Sequence, residues 1–242
     1  MKKLSKLDWV KICLKSLWLQ VSFNYERRQG LGWGWIFYSV RSKLTEEKKE
    51  ETDLLKRNFM SFNTNPYLAG YVIGAVIKAE EQGNSEQASA LKNSLGNALG
   101  AVGDNLIWRN LRPALIILGL VVFWFKGIWG PIVFWLSFNF IQIYLRIRGL
   151  YKGYQLQEKV FLDFNSKFFK LLSKITPILG SFCLGLFLIL KGKDFLSLEQ
   201  MFTFVGILIF SAVSFKRNLS PVLIFLISLV WGVLITTVLK LA

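Results

Sequence analysis

From residue 114 onward the chain is a succession of long apolar runs separated by short polar breaks, whereas before that point apolar and charged positions alternate at helical spacing. The runs cover about 114–125, 131–144, 175–190, 201–214 and 221–239. Segments of that length and composition predict helices that cross a bilayer, although several reach the roughly 20 residues of a full span only with flanking residues included. At the other end of the chain, Leu4, Leu7, Val10, Leu14, Leu17 and Trp18 fall on one face of a helix, with Lys2, Lys3, Lys6, Lys11 and Lys15 largely elsewhere. This is the pattern of a basic amphipathic helix that lies in the plane of a membrane or against a partner. It has neither an uninterrupted apolar core nor a small-residue cleavage site, so a removable signal peptide is not expected.

Between these ends lie segments of mixed character. Residues 43–56, KLTEEKKEETDLLK, predict a water-facing helix with Thr45 as its N-cap. Asn65 followed by Pro66 is a helix-start signal. The helix expected to follow runs only to about residue 79, too short for a full span, and suits a re-entrant or half-crossing element. Gly70 and Gly74 stand four apart in it, and Gly96 and Gly100 repeat the spacing after a polar hinge at 82–85. Small residues at that interval allow a second helix to approach closely. The fold expected is therefore an all-α polytopic membrane protein: an amphipathic and Gly/Trp-rich segment (1–44), a region of Gly-rich helical hairpins (45–113) and about five transmembrane helices (114–242).

Composition agrees with this class. Apolar residues make up 53% of the chain and the mean hydropathy is +0.41, too apolar for most soluble folds. The net charge of +15 raises nucleic acid as a partner, but basic loops beside apolar spans account for it through the positive-inside rule and anionic lipid, so no nucleic-acid partner is expected. Basic residues gather before the first run, between the second and third, and between the fourth and fifth, which places 145–174 in the cytoplasm and the C-terminus outside. Two cysteines, Cys13 and Cys183, build neither a disulfide framework nor a zinc site, and there is no histidine. No metal or cofactor is expected, and no nucleophile–base pair marks the chain as a freestanding enzyme.

Polar groups interrupt the apolar pattern in three places: Asn24, Glu26 and Gln29 before the glycines at 30, 32 and 34; Asn65 and Pro66; and Asp104 and Asn105 just ahead of the first long run. The glycines at 30, 32 and 34 permit backbone turns and close approach; a phosphate-cradling loop is not expected, because the Lys-Ser/Thr ending and the strand context of a P-loop are missing. Ionisable groups at membrane depth are costly and tend to line polar pathways, while Asp104 as a helix cap outside the bilayer is an equal reading.

Taken in order, FNYERRQGLGWGW (23–35), FNTNPYLAGYVIGAVIKAEE (62–81), LKNSLGNALGAVGDNLIWRNLRP (91–113), GPIVFWLSFN (130–139), RIRGLYKGYQLQ (146–157) and LSPVLIFLISLVWGVL (219–234) resemble the IID component of the mannose/fructose/sorbose family of the bacterial phosphotransferase system. The resemblance covers most of the chain. It implies one half of a sugar permease in the bacterial inner membrane, paired with a IIC subunit, assembled as a trimer of such heterodimers, and carrying a hexose that cytosolic IIB phosphorylates with phosphate from IIA. A IID chain carries no phosphohistidine of its own. Asn24, Glu26, Gln29, Asn65, Pro66, Asp104 and Asn105 are then candidates to line the sugar route or the IIC interface, with Gly70, Gly74, Gly96 and Gly100 as packing positions. The family more often has histidine where Asn65 stands and serine where Asn105 stands. The alternative function is a non-transporting membrane scaffold or regulator that keeps the IID fold.

Overall fold

The computed structural model describes residues 4–195 and 205–206. It divides into two compact units, Met1–Cys183 and Leu184–Ala242, and the account below concerns the first. The apolar runs expected at 201–214 and 221–239 lie outside the described residues. The described residues form helices joined by turns and loops, with no β-strand among them and only two isolated bridges, Asn24 with Arg28 and Arg28 with Phe62.

Helix α1 (Lys6–Leu17) begins with a reciprocal cap. Ser5 Oγ accepts from Asp8 N at 3.3 Å and Asp8 Oδ2 accepts from Ser5 N at 2.9 Å, satisfying two donors that a helix start leaves open. The Ser5 hydroxyl, which donates to Asp8 Oδ2 at 2.7 Å, and then the Ser5 amide hold the Asp8 carboxyl below the usual carboxylate range. The helix rests on the protein through Asp8, Ile12 and Ser16, while Leu7, Val10, Leu14, Leu17 and Trp18 remain exposed.

The glycines at 30, 32 and 34 do not form a loop. They open α2 (Gly30–Tyr38) and let it press onto neighbours, Gly32 against the Leu19 carbonyl and Gly34 against the Phe59 ring. Trp33 is fully buried and donates from Nε1 to Asn58 Oδ1 at 2.7 Å. After the single turn α3 (Arg41–Leu44), α4 covers Lys48–Asn58. Thr45 ends α3 instead of capping α4, its amide donating to Arg41 O at 3.1 Å. Glu50 Oε2 reaches back to the amides of Glu46 (3.0 Å) and Glu47 (3.3 Å), and with Glu47 as the N-cap the helix begins two residues later than expected. The last turn of α4 is capped by Lys92, whose ammonium donates to Arg57 O at 2.9 Å, where the negative end of the helix dipole favours a cation.

Helix α5 (Ala69–Glu81) is the centre of the unit. It starts later than the Asn65-Pro66 signal predicts. Asn65 O and Oδ1 accept the amides of Leu68 (3.0 Å) and Tyr67 (3.2 Å), making a separate turn ahead of the helix. Helix α6 (Ser85–Gly103), a π-helical segment (Asp104–Leu111) and α7 (Arg112–Lys126) follow as one rod. Pro113 lacks an amide hydrogen, so an α-helical bond to the fourth preceding carbonyl is unavailable there. The wider turn accommodates this, with Arg112 N donating to Ile107 O, five residues back.

Helix α8 (Trp129–Leu156) returns antiparallel and packs against α5 and α7. The crossing with α5 is glycine on glycine. A Cβ placed on Gly70 would lie 2.9 Å from Leu150 N, and one on Gly149 would lie 2.9 Å from Tyr71 N. Neither helix could come this close with larger side chains. A 3₁₀ turn (Gln157–Val160), the single turn α9 (Phe161–Phe164) and α10 (Lys167–Phe195) complete the described chain.

Among the described residues, three stretches are long and apolar enough to cross a membrane: Ser85–Lys126, Trp129–Phe164 and Lys167–Phe187. Because α8 continues to Leu156, Arg146, Arg148 and Lys152 sit on a helix and not in a loop. Arg148 pairs in two-pronged fashion with Asp163 (2.6 and 2.9 Å), whose Oδ2 also accepts Tyr71 OH at 2.5 Å. Arg57 and Glu80 form a second buried pair, at 2.5 and 3.0 Å. Burial raises the Glu80 carboxyl above its usual value even though Arg57 pulls the other way.

Candidate functional site

Two loops and a helix break converge on the polar residues singled out by sequence. In the first loop, Asn24 exchanges backbone hydrogen bonds with Arg28 (2.8 and 3.2 Å), and its Oδ1 accepts from Arg27 N at 2.7 Å. Asn24 therefore shapes the turn that carries Glu26, which is exposed. Arg28 takes a positive φ of 53° at the end of that turn. Gln29 is 1% exposed and its amide mimics a peptide group. Nε2 donates to Thr64 O at 2.8 Å and Oε1 accepts from Thr64 N at 3.1 Å. The side-chain capacity used there is spent inside the protein, tying loop 22–29 to loop 62–68.

The second loop meets the helix break. Asn65 is 1% exposed, and its Nδ2 donates to Asp104 Oδ1 at 3.0 Å across 39 residues of sequence. The contact depends on Gly103, since a Cβ there would fall 2.9 Å from Asn65 Nδ2. Pro66 is buried beside it. Asp104 is the first residue of the π-helical segment and is exposed, as is Asn105. The Asn105 carbonyl accepts from Asn110 Nδ2 at 2.7 Å within the same segment. Thus the structure brings Asn65, Pro66 and Asp104 together, joins Asn24 and Gln29 in the neighbouring loop, and leaves Glu26 and Asn105 on the surface.

Around this contact stand residues that sequence reasoning did not place in the site. Tyr67 lies 5.5 Å from Trp108 and 5.5 Å from Phe138 by ring centroids. The Arg112 guanidinium covers the Trp108 ring at 4.9 Å and Arg146 covers Tyr67 at 5.5 Å. Burial pushes the Tyr67 phenol up, keeping it a neutral hydrogen-bond donor. Arg146 is 4% exposed and donates from Nη1 to Ser16 O at 2.6 Å. The available signals were the Tyr in NPY and the arginines in RNLRP and RIRG, which interrupt otherwise apolar stretches.

Gly74 faces the Leu150 carbonyl and Tyr154 on α8, Gly96 faces the Phe62 ring, and Gly100 lies 3.8 Å, for an added Cβ, from Thr64 Cα. The last two hold loop 62–68 against α6, so the packing positions border the polar cluster. Among the described residues no group of three His, Cys, Asp or Glu could hold a metal ion. Exposed carboxylate and amide groups beside aromatic faces can bind a polyhydroxylated ligand, since hydroxyls donate to the former and apolar ring faces stack on the latter.

Comparison with known proteins places this architecture. The chain is 32% identical over 191 residues to the sorbose-specific EIID component of the phosphotransferase system (PTS) from Klebsiella pneumoniae, covering 76% of this chain and 69% of that one. It is 29% identical over 191 residues to the mannose-specific EIID component of Escherichia coli K12, covering 76% and 68%. Among solved structures, it matches a chain of the mannose transporter ManYZ in complex with microcin E492, with a TM-score of 0.62, 24% identity and 96% of each chain covered. The profile of the PTS mannose/fructose/sorbose family IID component matches residues 3–241, and the chain belongs to that family.

Proposed function

We propose that this chain, a IID membrane component of a mannose-family phosphotransferase permease, pairs with a IIC subunit to carry a hexose across the bacterial inner membrane, and that Asp104 meets the sugar or the IIC surface. The sugar is phosphorylated on arrival by IIB, which draws its phosphate from IIA, and the membrane part assembles as a trimer of IIC–IID heterodimers. Relatives named for sorbose, mannose and fructose make hexoses the first substrates to test.

The observation that carries the proposal is the Asn65–Asp104 contact at the start of the π-helical segment. Irregular helix turns recur at functional sites, and transporters place their substrates beside interrupted helices. Asn65 orients one carboxylate oxygen while the residue as a whole stays exposed. Tyr67 and Trp108 supply aromatic faces and Arg112 a fixed cation on the same side of the break. Asn24 and Gln29 act one step away by holding the loop that holds Asn65.

The test is uptake of radiolabelled mannose, fructose and sorbose by cells lacking their own mannose-family permease and supplied with this chain and its IIC, IIA and IIB partners. Omitting this chain should abolish uptake of at least one sugar. Asp104→Asn, which keeps the shape and the acceptor for Asn65, should lower that uptake about tenfold or more, the loss of one charge-assisted hydrogen bond. Membrane abundance and co-purification of IIC serve as controls. Unchanged uptake of every hexose without this chain would overturn the proposal.

A further inference from the structure

A second feature lies apart from the polar cluster. Between α1, the end of α5 and the C-terminal half of α8 is a cleft of about 620 Å³, lined by Trp9, Val10, Cys13, Ile147, Leu150 and Tyr154 among others. Its walls are almost wholly apolar, with one exception. Glu81 forms part of the lining, and while its Oε2 accepts a short hydrogen bond from Tyr154 OH, its Oε1 is sealed from water without any hydrogen-bond partner. A buried carboxylate oxygen left unpaired costs about 1–3 kcal/mol or more. A donor entering from the cleft meets it after a small rotation of the carboxyl group.

The charges at this end have a definite arrangement. Lys78 Nζ stands 3.5 Å from Tyr154 OH and 4.8 Å from the centroid of its ring, next to Glu81. One carboxylate with an unused acceptor therefore shares Tyr154 with a cation at the end of an apolar slot. The slot opens where Leu7, Val10, Leu14, Ile147 and Tyr151 are exposed, an apolar surface continuous with α8, itself part of a stretch able to cross a membrane. Trp9 and Tyr154 meet edge to face at 5.1 Å, the kind of aromatic pair that marks the head-group level of a bilayer.

We infer that this cleft is a binding site for a single zwitterionic phospholipid of the ethanolamine type, with an acyl chain between α1 and α8, its ammonium on Glu81 and its phosphate on Lys78. Charge complementarity selects this occupant. An anionic head group without an ammonium satisfies Lys78 but leaves Glu81 Oε1 unpaired, and a bare hydrocarbon satisfies neither. The lipid thereby fastens α1, which otherwise touches the body through one narrow face, to the α5–α8 core.

Native mass spectrometry of the full-length protein, purified and delipidated in mild detergent, tests this with added phosphatidylethanolamine or phosphatidylglycerol of identical acyl chains. One tightly held phosphatidylethanolamine per chain is expected, preferred over phosphatidylglycerol by about tenfold, the difference made by one charge-assisted hydrogen bond. Glu81→Gln, which retains an acceptor for Tyr154, should erase the preference while leaving the elution volume unchanged. Val10→Trp, at an exposed position, should fill the slot and weaken retention of both lipids. Equal retention of the two lipids by the wild type, a preference for phosphatidylglycerol, or a preference that survives Glu81→Gln each overturns the inference. So does a wild-type chain that takes no lipid and elutes as a dimer, which would give the cleft to a second copy.

Discussion

Replacing Gly74 by alanine puts the close crossing of α5 and α8 to a quantitative test. The added methyl carbon would lie 2.6 Å from Tyr154 N and 3.1 Å from Gly153 C, whereas carbon atoms rest at about 3.5–4.0 Å. The atoms in the way are backbone, so no side chain can swing aside and the two helices must part by roughly 1 Å. Overpacking of this kind costs about 1–3 kcal/mol, and the absence of a yielding neighbour argues for the upper end. Against it stands the gain of about 1 kcal/mol when alanine replaces glycine inside a helix. The net expectation is a loss of about 2 kcal/mol. Gly100→Ala is the matched control, because its methyl would sit 3.8 Å from Thr64 Cα and 4.0 Å from Asn65 N, in ordinary contact. There the helix gain stands alone, and the variant should be more stable by up to about 1 kcal/mol. The two variants should thus move in opposite directions and differ by about 3 kcal/mol. Thermal unfolding of the purified protein in detergent, followed by far-ultraviolet circular dichroism, reads this as midpoints on either side of the wild type, at roughly 2–4 °C per kcal/mol for a chain of this size. Midpoints that fall together, or a Gly74→Ala protein as stable as the wild type, would refute the reasoning from backbone contact.

Three further outcomes follow from buried polar groups. Arg148→Leu leaves Asp163 buried without its cation and should cost about 3–5 kcal/mol, whereas Tyr71→Phe removes only one of the three hydrogen bonds to that carboxylate and should cost about 1–1.5 kcal/mol; the same unfolding assay ranks them. Trp33→Phe leaves Asn58 Oδ1 without its 2.7 Å donor and should destabilise by about 1–3 kcal/mol, with the effect reduced in Trp33→Phe combined with Asn58→Leu. The capping of α1 should weaken in acid. The folded Asp8 carboxyl lies below its unfolded value of about 3.9, so its contribution is present above that pH and disappears as the pH falls through the folded value. Stability measured from pH 6 to pH 3 should therefore fall more steeply for the wild type than for Asp8→Asn.

The membrane class and the all-helical architecture were legible because hydrocarbon-compatible helices need long apolar runs, and these show at a glance. The spacing of Gly70 and Gly74 signalled a close approach, but not that its partner would be Gly149 and Gly153 of the same chain. The run RIRGLYKGYQ looked like a basic loop, since charges are expensive in a helix packed on its neighbours. It is helical because Asp163 and the Ser16 carbonyl, 15 and 130 residues away, receive its arginines. The same is true of the polar cluster. Asn65 and Asp104 stood out separately, yet their contact depends on the absence of a side chain at Gly103, which no local pattern reveals. The glycines at 30, 32 and 34 signalled close approach, which the contacts with Leu19 and Phe59 show, but not the helix: glycine in series favours a flexible chain, and only that tertiary fit offsets the entropy of ordering it.

The π-helical segment between α6 and α7 also sets the angular phase of the rod. Each residue of an α-helix advances the side-chain direction by 100°, from 3.6 residues per turn, so the widened turn acts as a spacer that decides which way the downstream half looks. With it in place, Gly103 turns to Asn65 at one end while Gly119 turns to Gly130 at the other. Forcing residues 104–111 into ordinary α-helical turns would straighten the helix and keep every apolar residue, but would swing the two ends out of step by about a quarter of a turn. The rod would still suit a bilayer and would no longer fit its own protein.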